Sequence, residues 1–179
     1  MGSIPSTATN SSIGQAQLIP TPLDAITEDV LLALINNGVS EGRTIEYKWD
    51  LPGSSDGDKK EFLADVSSFA NTSGGDLVIG MDEDKGLPIA IPRVQCADLD
   101  LEVRRLESII SSGMEPRIRY AVKAVTCDGN QKVIVIRVER SWSGPHRVIF
   151  KGHDKFYGRN SAGKYPLDVN EPFETPPGN

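Results

Sequence analysis

The sequence predicts a mixed α/β domain built on a single mixed β-sheet of five to six strands with two core helices. Three observations indicate this fold: a strand-helix-strand pattern over residues 43–81, an amphipathic helix after residue 97, and a hairpin over residues 117–140. The chain has 179 residues with 38% apolar content, which is enough to bury the core of one domain.

The ends of the chain have the composition of flexible segments. Residues 1–22 are rich in Ser, Thr, Pro and Gly and nearly uncharged, which predicts a flexible arm. The folded domain is expected over residues 23–170, followed by a flexible tail at 171–179. The first element of the domain is a short packing helix, since Val30, Leu31, Leu34 and Ile35 fall on one face before the stop at Asn36–Gly38.

A parallel crossover unit follows. Residues 43–49 alternate, with Ile45, Tyr47 and Trp49 on one face and Thr44, Glu46 and Lys48 on the other, which predicts a half-buried strand. Asp58 and Glu61 fit a capping box at the start of the next helix, whose apolar stripe is Phe62, Leu63, Val66, Phe69 and Ala70. The apolar run 77–81 then predicts a central strand, and this order favours a right-handed parallel connection.

The second half begins with a helix over residues 98–111, in which Leu99, Val103, Leu106 and Ile110 recur at helical spacing. The segments RIRYAVKAVT and KVIVIRVER, joined by Asp128-Gly129-Asn130, predict a hairpin. Two further strands are expected at 147–151 and 155–159.

Charge is divided unevenly along the chain. The net charge is -6, yet residues 1–100 carry 16 acidic and 6 basic residues, whereas residues 101–165 carry 6 acidic and 13 basic residues. This division is expected of a protein that binds a polyanion through its basic half and cations through its acidic half. The alternative interpretation is that both halves present solvated faces and that the charges segregate by chance.

Three carboxylates are candidate ligands for a divalent cation. Glu46 lies near the end of the first strand and Asp82 at the end of the next, and the carboxyl ends of parallel strands share one sheet edge. Glu41, in the preceding loop, could fold back toward them. Such a cluster is tolerated where a cation neutralises it, and the cation can activate water for phosphoryl chemistry. Lys48 follows two residues after Glu46 on the same face. In metal-dependent nucleases a lysine at this spacing orients the attacking water or offsets charge on the phosphate. The other interpretation is that the strand alternates Glu and Lys for solubility.

Several segments closely resemble the Schlafen-type AlbA domain: EGRTIEYK at 41–48, FLADVSSFANTSGG at 62–75 and LVIGMD at 77–82. The similarity extends through the hairpin to KFYGRNSAGKYPLD and covers roughly residues 38–170. Eukaryotic Schlafen members include endoribonucleases that cut transfer and ribosomal RNA. The resemblance therefore implies catalytic and metal-binding roles for Glu41, Glu46 and Asp82, with Asp84 as a substitute for Asp82 if the register shifts. Lys48 is predicted as a further catalytic residue from its Glu-x-Lys spacing.

The last third of the chain carries candidate contacts to nucleic acid. Aromatic residues (Trp142, Phe150, Phe156 and Tyr157) interleave with basic ones, which is typical of a groove that pairs phosphate contacts with base stacking; an edge hairpin with buried aromatics is the alternative. The predicted contacts are Arg140, Arg147, Lys151, Lys155, Arg159 and Lys164. The stretch GRNSAGKY fits the spacing of a phosphate-binding loop, but Tyr165 and Pro166 replace the hydroxyl residue and prevent the helix that such a loop needs.

Together these features predict a nucleic-acid-binding domain that is an endoribonuclease dependent on Mg2+ or Mn2+ and acts on structured RNA such as tRNA. The alternative is a non-catalytic DNA- or RNA-binding module of a regulator or defence system. RNA is favoured over DNA as the partner. Two such lobes form a basic trough within one Schlafen chain, so a homodimer is expected here. The two unpaired cysteines and the lack of a long apolar run predict a cytoplasmic protein without a membrane segment.

Overall fold

A computed structural model of the protein describes residues 19–92, 94 and 96–168. The helices of this part are α1 (Glu28–Asn36), α2 (Asp56–Ala70) and α3 (Leu99–Gly113). The strands are β1 (Ile45–Lys48), β2 (Gly75–Ile79), β3 (Asp82–Asp84), β4 (Leu87–Ala90), β5 (Met114–Glu115), β6 (Tyr120–Thr126), β7 (Lys132–Val138), β8 (Arg147–Val148), β9 (Lys155–Asn160) and β10 (Gly163–Leu167). The mixed class of helices and strands is confirmed.

The strands form two four-stranded sheets and a small hairpin, in place of the predicted single sheet. The central sheet has the order β1-β2-β7-β6, the second sheet has the order β10-β9-β8-β5, and β3 pairs with β4. Helix α2 contacts strands of both sheets. The last strands therefore build a second layer across α2 and do not extend the central sheet.

The predicted crossover unit is present. β1 and β2 are parallel, with Glu46 opposite Leu77, and β2 pairs antiparallel with β7. The capping box of α2 lies one turn earlier than predicted, because Ser55 is the N-cap and its side chain and that of Asp58 bond reciprocally to the backbone. The helix over residues 98–111 and the hairpin over 117–140 correspond to α3 and to β6–β7.

Two hydrophobic clusters lie on opposite faces of the central sheet. The first joins α2 and α3 to β2 and β7 and includes Phe69, Leu77 and Ile136; the second joins α1 to the other face and includes Leu31 and Val78. Trp49, predicted on the buried face of β1, is 58% exposed because the strand ends at Lys48.

The segment before α1 packs onto the central sheet. The Ile19 N–H donates to Asp76 Oδ2 over 2.9 Å, and Ile19 is buried. Arg137 forms an ion pair with Asp76 at 2.8 Å and donates to the carbonyl oxygens of Ile19 (3.1 Å) and Thr21 (2.9 Å). Residues 19–22 of the predicted arm thus contact the domain, whereas residues 1–18 and the predicted tail at 171–179 lie outside the described residues.

The longest helices of the described ranges, α2 and α3, have 15 residues each. Within residues 19–92, 94 and 96–168, no helix has the length and apolar character needed to cross a membrane.

Candidate functional site

An open polar pocket of about 550 Å³, here called the Glu41 pocket, lies between the β3–β4 turn and the tip of the β9–β10 hairpin. Both predicted catalytic glutamates, Glu41 and Glu46, line it. The hairpin tip is the stretch that matched the spacing of a phosphate-binding loop, and it forms a wall of this pocket as a strand-turn-strand unit. The full lining is Glu41, Gly42, Glu46, Lys85, Gly86, Ser161, Ala162, Gly163 and Lys164.

Glu41 is held by backbone contacts on both sides of the pocket. Its N–H donates to the Gly86 carbonyl over 2.7 Å, and its Oε1 accepts from the Tyr47 N–H over 2.8 Å. Burial raises the pKa of Glu41; the bond from Tyr47 opposes this, and the charges of Glu46 and Glu83 raise the pKa further. A carboxylate in this position is therefore destabilised, and a cation or a proton would relieve it.

The third predicted ligand does not join the two glutamates. After β2 the chain turns at Gly80 (φ 96°) and enters the β3–β4 hairpin, where Asp82 lies opposite Ala90 and Asp82 Oδ1 accepts from the Glu83 N–H at 2.9 Å. Asp84, the substitute, lies in the same hairpin. In the part of the chain described, no group of three or more His, Cys, Asp or Glu side chains is placed to hold a metal ion. The predicted trio thus does not form a three-carboxylate metal site in this arrangement.

Glu83 is the carboxylate that the sequence did not single out. Its side chain accepts from the Gly86 N–H, and its charge is one of those that raise the pKa of Glu41. The tight turn at Lys85 and Gly86, both with positive φ, folds the hairpin back onto residue 41. The residues Asp84-Lys85-Gly86 carry the turn signal that could have predicted this hairpin.

A largely buried ion cluster of Glu46, Lys48, Asp65, Arg159 and Lys164 adjoins the Glu41 pocket and shares Glu46 and Lys164 with its lining. Lys48 lies 2.8 Å from Glu46 and 3.4 Å from Asp65, and Lys164 lies 2.7 Å from Asp65. Arg159 pairs with Glu46 and lies 3.7 Å from Asp65. Strand β1, helix α2 and the β9–β10 hairpin each contribute residues, so the cluster joins the two sheets through α2.

The charges in this cluster shift one another's protonation. Burial alone would raise the pKa of Glu46, but Arg159 and Lys48 outweigh it and hold that pKa below its usual value. Burial alone would lower the pKa of Lys48, but the charges of Asp65 and Glu46 outweigh it and raise that pKa. Burial raises the pKa of Asp65, although Lys48 and Lys164 oppose this. Lys48, predicted as a catalytic residue, is a member of this cluster and also half-exposed toward solvent.

Arg159 occupies a different environment from the one predicted. Its side chain is 0% exposed, with its guanidinium 4.2 Å from the Phe69 ring centroid and its Nε donating to the Gly42 carbonyl over 3.2 Å. Lys164 is 18% exposed and is shared between Asp65 and Glu61. These two predicted phosphate contacts are engaged by carboxylates, and Arg159 is enclosed by protein.

Glu41 should make stability depend on pH in a defined direction. Its folded-state pKa lies above its ordinary value of 4.5, so its stabilising contribution is fully present below that value and is lost as the pH rises through the folded pKa. Glu41→Gln keeps an oxygen for the Tyr47 N–H and removes the charge. We expect the urea midpoint of this variant to exceed that of the wild type at pH 7 and to match it near pH 4. The control is Glu139→Gln at an exposed position, whose urea midpoint should equal that of the wild type at both pH values.

The other predicted phosphate contacts lie on the surface. Arg147 bridges Glu115 (3.0 Å) and Asp154 (3.2 Å), and Lys151 pairs with Asp56 (3.0 Å). Lys155 is exposed on β9. Surface pairs of this kind exchange readily with solvent ions, so Arg147 and Lys151 are accessible to a phosphate but begin partly neutralised.

A second basic area, here called the Trp142 surface, consists of Arg117, Arg119, Arg140 and Trp142. Trp142 is 75% exposed, and the Arg140 guanidinium lies 4.9 Å from its ring centroid. Arg117 and Arg119 are exposed. Within residues 19–92, 94 and 96–168, none of the three arginines forms an ion pair with a carboxylate. Arg140 was predicted from the sequence as a contact to nucleic acid, whereas Arg117 and Arg119 were not.

A contact to a backbone carbonyl at each end brings the two segments of this surface together. At one end the Glu139 N–H donates to the Arg119 carbonyl (3.1 Å), and at the other His146 Nδ1 lies 2.7 Å from the Pro116 carbonyl oxygen. The segments 117–119 and 140–145 therefore lie side by side between these two contacts.

The FANTSGG segment fixes the loop that carries Trp142. The Asn71 side chain accepts from the His146 N–H (2.7 Å) and donates to the carbonyls of His146 (2.8 Å) and Tyr157 (2.9 Å). A Cβ at Gly74 would lie 2.9 Å from the Arg140 nitrogen, and one at Gly75 would lie 2.1 Å from the Phe69 ring. These residues allow close packing of the helix end against both sheets.

The predicted groove of interleaved aromatics separates into partly buried and exposed members. Phe150 and Tyr157 pack against the first hydrophobic cluster, and the His153 ring stacks on Tyr157 with centroids 6.0 Å apart. Trp142 differs from them because most of its surface faces solvent. Of the aromatics in the predicted groove, Trp142 is therefore the side chain best placed to stack on a base.

Comparisons with known proteins agree with this fold. A family model described as "Schlafen, AlbA_2" matches residues 41–168. The solution structure of the N-terminal domain of a Nitrosomonas europaea protein, described as related to the ATP-dependent DNA helicase RecG, is similar with 25% identity and a TM-score of 0.56, covering 82% of this chain and 95% of that one. The crystal structure of the DIP2311 protein from Corynebacterium diphtheriae matches with 17% identity and a TM-score of 0.46, covering 79% of this chain but 27% of that one. Among curated proteins, none matches.

Proposed function

Since the chain belongs to the Schlafen AlbA_2 family, we propose that it binds nucleic acid and that the Trp142 surface is a principal contact. The observation that carries this proposal is a group of three arginines, without carboxylate partners among the described residues, beside an exposed tryptophan. Similarity to the domain of a RecG-related protein supports the same class of function.

The chemistry of the Trp142 surface suits a polyanion with accessible bases. Arginine contacts phosphate through a planar fork of donors, and release of counterions makes such binding sensitive to salt. An exposed indole offers a flat face for stacking, which contributes about 1–3 kcal/mol per base in single-stranded complexes. The acidic first half of the chain does not prevent this, because its carboxylates in the described ranges pair with other cations, such as Lys151 and Lys164, and not with these three arginines.

Binding should depend on this surface more than on basic charge elsewhere. We expect Arg117→Glu with Arg119→Glu to weaken binding of a labelled single-stranded oligonucleotide about a hundredfold at low salt and to reduce the salt slope by about one per lost contact. Trp142→Ala should weaken it about tenfold with the slope unchanged. Fluorescence anisotropy across a salt series measures both.

A matched double variant, Arg104→Glu with Lys60→Glu, makes the same change in net charge away from the Trp142 surface. It should weaken binding only slightly. Equal losses in the two double variants, together with no effect of Trp142→Ala, would contradict this location of the interface.

A divalent-metal-dependent endoribonuclease acting on structured RNA such as tRNA is the second candidate function. The observation that favours it is that Glu41 and Glu46 line one pocket, where burial and, to a lesser extent, the charge of Glu46 raise the pKa of Glu41. Carboxylate oxygens are the ligands that Mg2+ and Mn2+ prefer, so these two residues would supply the protein's share of such a site. Because Lys48 and Arg159 engage Glu46, Glu41 is the freer of the two ligands.

A preference for RNA over DNA, assembly as a homodimer and a cytoplasmic location stay predictions. A non-catalytic module of a regulator or defence system stays the alternative to the nuclease.

A further inference from the structure

A smaller pocket of about 190 Å³, here called the Asp65 pocket, opens beside the ion cluster. Its floor is apolar and includes Phe62, Leu77 and Ile79, which are buried core residues. Lys48 and Asp65 contribute polar groups to the same lining, and Leu51 lies in the loop that borders the pocket. Its volume suits a ligand smaller than a drug-sized molecule.

One oxygen of Asp65 lacks a hydrogen-bond donor. Asp65 is 1% exposed, and its Oδ1 accepts from Lys164 over 2.7 Å. Its Oδ2 has no hydrogen-bond partner in the described part of the chain and lies 3.4 Å from Lys48 Nζ. Lys48 and Asp65 line the Asp65 pocket, but Lys164 does not. Oδ2 is therefore the oxygen nearer to Lys48, which lines the pocket. A buried acceptor that has an ion pair but no hydrogen bond is costly, so a ligand that donates to it would be stabilised.

The pocket combines an acceptor, a donor and apolar walls within a few ångströms. The Watson–Crick edge of each nucleobase carries a donor next to an acceptor, so one edge can donate to Asp65 Oδ2 and accept from the Lys48 ammonium. The apolar residues of the floor suit the face of a planar ring. Three further carboxylates, those of Asp50, Asp58 and Glu61, line the pocket and disfavour entry of a phosphate.

We propose that the Asp65 pocket binds a single unpaired nucleobase, with its sugar and phosphate outside. The proposal rests on the proposed function in that the base belongs to the bound nucleic acid. It also narrows the substrate class, because a base held in a duplex has its Watson–Crick edge occupied. The protein should therefore prefer single strands, loops or bases that can leave a duplex.

A cationic ligand such as a polyamine is the competing occupant, given the number of carboxylates. Lys48 argues against it, because its ammonium lies beside the one unsatisfied oxygen and a second cation would have to approach it closely. The nucleobase makes use of both groups, whereas a cation would use one and be repelled by the other.

The test uses single nucleosides, which bind without the phosphate backbone. Adenosine, guanosine, cytidine and uridine are titrated separately into the protein and followed by amide chemical shifts, with spermidine as the competing cation. We expect saturable binding of at least one nucleoside, with shifts at Lys48 and Asp65. Leu51→Trp, which fills the pocket from its border, should weaken this binding at least tenfold. Leu32→Trp, on the exposed face of α1, should leave it unchanged.

Several outcomes would overturn the inference: no nucleoside binding at millimolar concentration, equal binding to Leu51→Trp and wild type, or spermidine binding at the same residues in preference to every nucleoside. If oligonucleotides bind and nucleosides do not, the pocket inference fails and the proposed function stands. If nucleosides bind as expected but no oligonucleotide binds, the pocket stands and the proposed function fails.

Discussion

Arg159→Leu should lower the free energy of unfolding by about 3–5 kcal/mol, because it leaves two carboxylates in the protein interior without their shared cation. Glu46 would keep only Lys48, and Asp65 would lose one of the cations around it. The packing of the guanidinium on Phe69 and its bond to Gly42 would also be lost. Since domains of this size are stable by about 5–15 kcal/mol, this one change removes a large share of the total. Urea denaturation followed by circular dichroism measures it.

A surface arginine provides the comparison. Arg147→Leu removes pairs with Glu115 and Asp154 that are largely exposed, so it should shift the urea midpoint far less than Arg159→Leu does. If Arg159→Leu instead proved as stable as the wild type while losing affinity for nucleic acid, Arg159 would be a phosphate contact and the buried ion cluster would not have the structural role assigned to it.

Glu41→Gln should reduce metal-dependent RNA cleavage by more than about a hundredfold if the second candidate function holds, since even outer-shell residues of metal sites affect affinity or activity by 10–100-fold. The variant keeps the acceptor for the Tyr47 N–H and should be at least as stable as the wild type at pH 7, so lost cleavage cannot be attributed to unfolding. Glu46→Gln is a poorer probe because it also breaks the ion cluster. The assay is digestion of a transfer-RNA pool with Mg2+ or Mn2+, and with chelator.

Two further variants distinguish the third carboxylate. The resemblance predicts a loss of cleavage for Asp82→Asn. In the structure the charge of Glu83 acts on Glu41, which instead favours a loss of cleavage for Glu83→Gln. Exposed Glu139→Gln is the control for charge. A wild type that cuts nothing in either metal, or a Glu41→Gln protein that cuts equally well, would refute the nuclease and favour the binding module.

The elements with local signals could be predicted from the sequence. Alternation in β1, the apolar stripe of α2 and the run in β2 together indicated a parallel crossover, and the Asp-Gly-Asn turn indicated β6–β7. The second sheet could not be predicted, because β8 and β9 have no local feature that selects pairing with each other and with β5 and β10 over addition to the central sheet. That choice depends on how α2 packs.

The candidate site was predictable in part for the same reason. Glu41 and Glu46 do share a pocket, but the turn at Gly80 sends Asp82 into a hairpin. The burial of Arg159 could not be predicted directly, because it depends on residues distant in sequence. One feature of the sequence did indicate a buried cation. Asp65 lies three residues after Phe62 and four before Phe69, on the buried face of α2. An acidic residue there requires a buried cation.

The attachment of Ile19 to the central sheet has a consequence for fragment design. Asp76 is fully buried, and Arg137 and the Ile19 N–H are its polar contacts on that face of the sheet. A polypeptide that started at residue 23 would strip one donor from Asp76 and two acceptors from Arg137, and would open the apolar surface under Ile19 to water. A fragment meant to fold on its own should therefore include residue 19, although the family similarity begins only at residue 41.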